Sequence, residues 1–138
     1  MKKFYILDAC ALIAYFKKET GFEHIIRFLE QADDEEISLS MHKLNLLEVY
    51  YGFYRDDGKE KAEAILKDSF SLPIIIVDEL NDSLFREAGR LKALYDISFA
   101  DSIALALASV RRGSLITADH HDFDIIEHKE EILFSWIR

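Results

Sequence analysis

The sequence has little of what marks several common protein classes. A single cysteine, Cys10, among 138 residues excludes an internal disulfide framework and suits a reducing compartment. One proline and five glycines leave no room for collagen-like or low-complexity architecture. No apolar run approaches the length needed to cross a bilayer. At the N-terminus Lys2 and Lys3 precede Phe4-Tyr5-Ile6-Leu7, and Leu7-Asp8-Ala9-Cys10 faintly resembles a lipoprotein cleavage site. The apolar stretch is too short for a signal peptide, and Asp8 interrupts it. A cytoplasmic address with no membrane contact is expected. Positive charge is also scarce, with 17 Lys and Arg against 26 Asp and Glu and a formal net charge of −9. That disfavours a protein that grips nucleic acid through a broad basic footprint. It does not disfavour an enzyme that gathers acids around a cation.

What is present is an apolar half, enough for one compact domain over residues 1–138. There is no internal repeat or Ser/Gly-rich linker. Phe4–Leu7 reads as a buried strand, followed by helices over Ala9–Lys18 and Phe22–Ala32 with Gly21 as the break. In the second of these Phe22, Ile25, Ile26 and Leu29 share a face. Asp33–Glu36 is a solvated turn before a strand at Ile37–Ser40. Helices are expected over Leu44–Arg55 and Lys59–Phe70, with Asp56-Asp57-Gly58 as the turn. Ile74–Val77 is the clearest β-branched strand. Asp82–Tyr95 is amphipathic, with Leu84, Phe85, Ala88, Leu91 and Leu94 or Tyr95 directed inward. Ser98–Arg112 is apolar on nearly all sides from Ile103 to Ala108, which predicts deep burial. Ser114–Thr117 and Ile132–Trp136 complete the strands. Alternating strands and helices imply an α/β fold, three layers with a mostly parallel central sheet of four to five strands. In such folds sites form beyond the carboxyl ends of the strands, where Asp8 and Asp119 stand.

Four short patterns place an acid beside residues that otherwise look buried: Ile6-Leu7-Asp8-Ala9-Cys10, Asn45-Leu46-Leu47-Glu48-Val49, Ser98-Phe99-Ala100-Asp101, and Thr117-Ala118-Asp119 with Asp122 beyond. A buried ionised carboxylate must be paired, hydrogen-bonded or bound to metal. Several converging without a cation would repel, and some would protonate. Magnesium, a hard ion that prefers oxygen ligands, resolves that conflict. Each acid also has a plainer explanation. Asp8 can cap the helix after its strand, Ser98-x-x-Asp101 and Asn45-x-x-Glu48 can be capping boxes, and Asp119 can start the segment after it. The force lies in the combination and its order along the chain.

In that order the patterns resemble the PIN-domain family, and within it the VapC-like toxins of toxin–antitoxin systems. The resemblance covers essentially the whole chain, from Asp8 to the closing Phe134-Ser135-Trp136-Ile137-Arg138. It rests on Asp8-Ala-Cys-Ala-Leu-Ile, Asn45-Leu-Leu-Glu48-Val-Tyr-Tyr-Gly52, Phe99-Ala100-Asp101, and Thr117-Ala118-Asp119 with Asp122-Phe123. It implies an endoribonuclease that cleaves single-stranded or loop RNA by a metal-activated water, with Mg²⁺ as cofactor and Mn²⁺ as substitute. It further implies a cognate antitoxin and a homodimer. By the same resemblance Asp8, Asp101 and Asp119 are metal ligands, and Glu48 is a ligand or an outer acid that orients the attacking water. Thr117, Asn45 and Asp122 are supporting residues. One departure stands at Cys10, where the family often has Ser or Thr; a thiol is a weak donor.

His120 and His121 are expected to be loop residues at the site mouth, because adjacent histidines rarely share one zinc ion. In Val49-Tyr50-Tyr51-Gly52-Phe53-Tyr54, Tyr51 falls on a different face from Tyr50 and Tyr54 and could be exposed. It could serve an interface or stack on a base. Lys17, Lys18, Lys43, Arg86 and Arg90 are the cations that could meet RNA, or simply a solvated surface. A phosphoryl-transfer domain using Asp8 and Asp78 lacks the second acid its site needs. A non-catalytic PIN-fold binding module and a housekeeping RNA-processing nuclease remain alternatives.

Overall fold

The computed structural model describes residues 2–138. These form five strands and seven helices: β1 (Lys3–Leu7), α1 (Ala9–Lys17), α2 (Phe22–Asp33), β2 (Ile37–His42), α3 (Lys43–Asp57), α4 (Lys59–Ser71), β3 (Ile75–Val77), α5 (Asp82–Leu94), α6 (Phe99–Arg111), β4 (Ser114–Thr117), α7 (His120–Lys129) and β5 (Leu133–Trp136). The strands make one sheet in the order β3-β2-β1-β4-β5, and every pairing is parallel.

Strand side chains alternate between two cores, one on each face of the sheet. Ile6, Val77 and Leu115 face α5, α6 and α7. Leu7, Leu39, Met41 and Ile116 face α1, α2, α3 and α4. Both faces are covered, which is why β1 and β3 read as near-continuous apolar runs, whereas β2 alternates apolar residues with Ser38, Ser40 and His42. The run Ile103–Ala108 is buried throughout, as its lack of a polar face predicts.

Several expectations need correction. Phe85 and Leu94 do not face inward; they are 63% and 61% exposed, and Leu84, Ala88 and Leu91 carry the packing, with Tyr95 partly buried against the same core. The α3 helix runs through Asp56 and Asp57 and stops only at Gly58, whose φ of 91° ends it without strain. His120 and His121 are not loop residues, because they open α7, a helix absent from the sequence reading. Among the described residues no helix is long and apolar enough to cross a membrane.

Leaving β1, the chain passes to β2 on one side, whereas β4 lies on the other. The carboxyl ends of β1 and β4 therefore flank the point where the strand order reverses, and a crevice opens there in parallel sheets. Asp8 follows β1 and Asp119 lies two residues beyond β4. At the C-terminus Ile137 is buried, its N–H donates to Thr117 O (3.1 Å), and its backbone lies hard against Gly21. A Cβ at Gly21 would stand 2.1 Å from Ile137 O, so glycine is required there by space as well as by its φ of 95°.

Candidate active site

Each acid is delivered by a different element. Leu7 pairs in register with Ile116, and the Asp8 N–H donates to Ile116 O (3.3 Å), which holds the end of β1 beside the end of β4. Asp8 is 2% exposed. One of its carboxylate oxygens accepts from the Ala11 N–H (2.8 Å) and so caps α1, and the Thr117 hydroxyl hydrogen-bonds to the same carboxylate. Thr117 Oγ1 also accepts from the Asp119 N–H (3.1 Å), so one buried side chain at the end of β4 ties two of the acids. Asp119 Oδ1 accepts from the Asp122 N–H (3.1 Å) and caps α7. Asp101 stands in the first turn of α6, where Ser98 Oγ accepts from its N–H (3.1 Å). The capping interactions foreseen for Asp8, Ser98 and Asp119 are thus real, and they orient the acids without removing them from the crevice.

Carboxylate oxygens of Asp101, Asp119 and Asp122 lie within 4.8 Å of one another. Asp8 and Glu48 complete the group electrostatically. Burial pushes the Asp101 carboxyl up to about 7, and the charges of Glu48, Asp8, Asp119 and Asp122 add to the rise. Burial likewise lifts Asp8 to about 7, against the lowering hydrogen bonds from Thr117 and Ala11 and with Asp119 and Glu48 raising it further. Glu48 is raised by burial and then by Asp119. Asp122 is raised by burial and by Asp119, and a hydrogen bond with Asp101 works the other way. All five acids named at the site by their sequence patterns are therefore in one field.

Asn45 does not form a capping box. His42 caps α3, accepting from Leu44 N–H (3.1 Å) through Nδ1 while its Nε2 meets Glu79 O (2.9 Å). Asn45 lies inside the helix one turn before Glu48, 1% exposed, and among the described residues neither its amide nitrogen nor its oxygen has a partner. An unsatisfied buried amide is costly, on the order of 1–3 kcal/mol.

A family model for the PIN domain matches residues 5–129. The chain belongs to the PIN domain family. No curated protein matches it significantly in sequence. Among solved structures, a chain of DNA-bound VapBC from Salmonella typhimurium is similar over all of both chains, at 17% identity and a TM-score of 0.76. VapBC2 from Rickettsia felis, bound to a fragment of promoter DNA, matches over 96% of this chain and 98% of that one, at 17% identity and a TM-score of 0.74. The toxin VapC20 of Mycobacterium tuberculosis, described as cleaving the sarcin–ricin loop, matches over 88% and 94%, at 13% identity and a TM-score of 0.66. At such identities the likeness is one of fold.

Two further residues of this PIN domain stand around the acids. Cys10 is half-buried, and burial together with the Asp8 charge pushes its thiol up to about 11. Arg138, from the far end of the chain, is close enough to lower that value. Its guanidinium donates to Thr20 O (2.8 Å) and lies 3.5 Å from Glu19. Lys17, Lys18, Lys43, Arg86 and Arg90 are the cations that stand out in the sequence, whereas no local motif marks Arg138. Arg90 is engaged elsewhere, with Glu87 and Glu130.

Proposed function

We propose that this PIN domain is a Mg²⁺-dependent endoribonuclease that cleaves single-stranded or loop RNA, and that it serves as the toxin of a toxin–antitoxin pair in the cytoplasm. The reading rests chiefly on the oxygens of Asp101, Asp119 and Asp122 gathered within 4.8 Å, with Asp8 and Glu48 in the same field. The donor set is hard and entirely oxygen, which fits Mg²⁺ or Mn²⁺ and not a soft metal. Carboxyls lifted toward neutrality by burial and mutual repulsion are groups that a dication would return to the charged form.

In this reading Asp8, Asp101 and Asp119 hold the ion, directly or through water, and Glu48 binds it or orients the attacking water. When bound, a divalent ion there lowers the pKa of a coordinated water and offsets charge on the phosphate during in-line displacement. The chain supplies the rest. Thr117 fixes Asp8 and Asp119 relative to one another. The amino ends of α1, α6 and α7, reached by Asp8, Asp101 and Asp119, bring positive helix-dipole ends to the crevice and favour an anion there. Asp122 braces Asp101 and Asp119 from outside, and the unpartnered Asn45 amide is available to a water or ligand beside Glu48.

The cognate antitoxin and a homodimer are proposed on the likeness to toxin chains solved in VapBC complexes. Exposed Leu47, Tyr51 and Tyr54 on α3 offer surface for such an interface. Purified protein incubated with labelled structured RNA in Mg²⁺, Mn²⁺ or EDTA tests the central claim. Cleavage is expected with either metal, none in EDTA, and none from Asp8→Asn or Asp101→Asn. EDTA-resistant cleavage retained by both variants would overturn the mechanism.

A further inference from the structure

His120 directly follows Asp119, and its ring is held on three sides. Nδ1 is 2.7 Å from Asp124 Oδ1, and Nε2 is 2.7 Å from the backbone oxygen of Arg138. One face is covered by Trp136, with ring centroids 3.8 Å apart and planes within 13°. Trp136 is itself stacked on Phe134 at 5.3 Å and 9°, and its indole N–H donates to Glu127 (3.0 Å). Phe134 in turn meets the buried Phe123 at 5.9 Å. This column of rings runs from the core to His120, the first residue of the helix that Asp119 caps. Its last member, His120, still exposes 47% of its side chain. Both ring nitrogens and one face are occupied, which leaves the opposite face and the carbon edges to carry that exposure.

We infer that the free face of His120 is a stacking platform for the nucleobase that flanks the phosphate held at the acids, an inference that rests on the nuclease reading above. A planar ring with fixed orientation and one open face accepts any base through its π-surface, without reading its edges. Because the ring is already fixed by its three contacts, stacking on it costs little ordering. Arg138, whose backbone oxygen bonds to His120, also brings a cation close enough to Cys10 to lower its thiol value. The column also explains why a chain of net negative charge could retain single-stranded nucleic acid: base stacking supplies affinity where basic surface is sparse.

Trp136 is the single tryptophan, so its fluorescence reports on the column directly. The test compares binding of a short oligoadenylate with that of an abasic ribose-phosphate chain of equal length, with Ca²⁺ present to balance the acids. The wild-type protein is expected to bind oligoadenylate about tenfold more tightly than the abasic chain, the size of one base–aromatic stack. Only oligoadenylate should alter Trp136 emission. His120→Gln, which keeps a polar head and loses the ring, should abolish both differences, whereas His120→Phe should keep them. Far-UV circular dichroism confirms that α7 persists in each variant; should His120→Gln fail to fold, the wild-type comparison and His120→Phe carry the result. Equal binding of the two chains by the wild type, or a preference that survives in His120→Gln, would overturn the platform. If the wild type cleaves RNA with Mg²⁺ yet shows no base-dependent binding, only the platform fails. If it neither cleaves nor binds, the nuclease reading fails with it.

Discussion

At the amino end of β4 and β5, Glu87 and Glu130 flank Arg90, which reaches them at 2.7 and 2.6 Å, while Ser109 and Tyr95 donate to the remaining oxygens at 2.6 Å each. At the carboxyl end of the same strands Asp8, Glu48, Asp101, Asp119 and Asp122 face one another, and no Lys or Arg forms an ion pair with any of them among the described residues. The first set has its carboxyls held below their ordinary values, by Arg90 above all. In the second, Asp8, Glu48, Asp101 and Asp122 are raised. Composition cannot tell these regions apart, since both are acidic clusters contributed by distant segments. The difference is whether the fold supplies its own cation. Where it does, the acids tie α5 to the segment after α7. Where it does not, the fold carries an electrostatic debt that an ion from outside is suited to settle.

The sharpest way to break this contrast is to neutralise one member of each set. Asp101→Asn should lower metal-dependent cleavage by at least ~100-fold, a loss of about 2.7 kcal/mol in the transition state. In the cation-free protein the same change should leave the melting temperature unchanged or raise it, because it removes repulsion. Arg90→Ala should do the reverse, sparing cleavage and costing about 1 kcal/mol of stability, or roughly 3–5 °C in melting temperature. Parallel cleavage assays and thermal melts of the two variants check this. Loss of stability in Asp101→Asn without loss of cleavage would erase the distinction.

A second test uses pH. The folded values of about 7 for Asp8 and Asp101 lie above the ordinary 3.8. Between those limits the folded, cation-free protein binds protons that the unfolded chain does not. That stabilisation is complete below about pH 4 and is lost as the pH rises through about 7. A dication competes with those protons, so its benefit should grow in the same direction. Melting with and without Mg²⁺ at pH 5.5 and pH 8 should show the larger shift at pH 8, by several degrees. A shift larger at pH 5.5, or none at either pH, would mean that the acids do not receive the ion.

The period of the elements was enough to foresee a mostly parallel sheet, and the resemblance to PIN domains, carried by the order of the acids, implied the convergence of Asp8, Glu48, Asp101 and Asp119 with Asp122 in support. These are set by apolar runs and by acids at strand and helix ends, which are local signals. What escaped has a different origin. The α7 helix was hidden because Asp-His-His-Asp reads as polar loop, and only the burial of Phe123 and Ile126 against the sheet makes it helical. Phe85 and Leu94 fit an apolar stripe by spacing, but α5 is covered along a narrower line set by α6. Arg138 and the His120–Trp136 column depend on the last strand returning beside β4, a tertiary event that leaves no mark at either segment.

The smallest expected effect lies at Cys10, on the margin of the unpaired region. A thiol held up to about 11 stays protonated at neutral pH, so it adds no charge to the acids and should alkylate more slowly than free glutathione at pH 8. It is also a weak hydrogen-bond donor two residues from Asp8. Cys10→Ser places a stronger donor in nearly the same volume and should raise kcat for RNA cleavage by roughly two- to fivefold, the equivalent of about 0.5–1 kcal/mol. A rise confined to kcat, with KM constant, would show that the hydroxyl orients the reacting groups and not the bound RNA. An unchanged rate would mean that the Asp8 carboxylate is already fixed by Thr117 and the Ala11 N–H, and that the identity of residue 10 is free within the limits of its space.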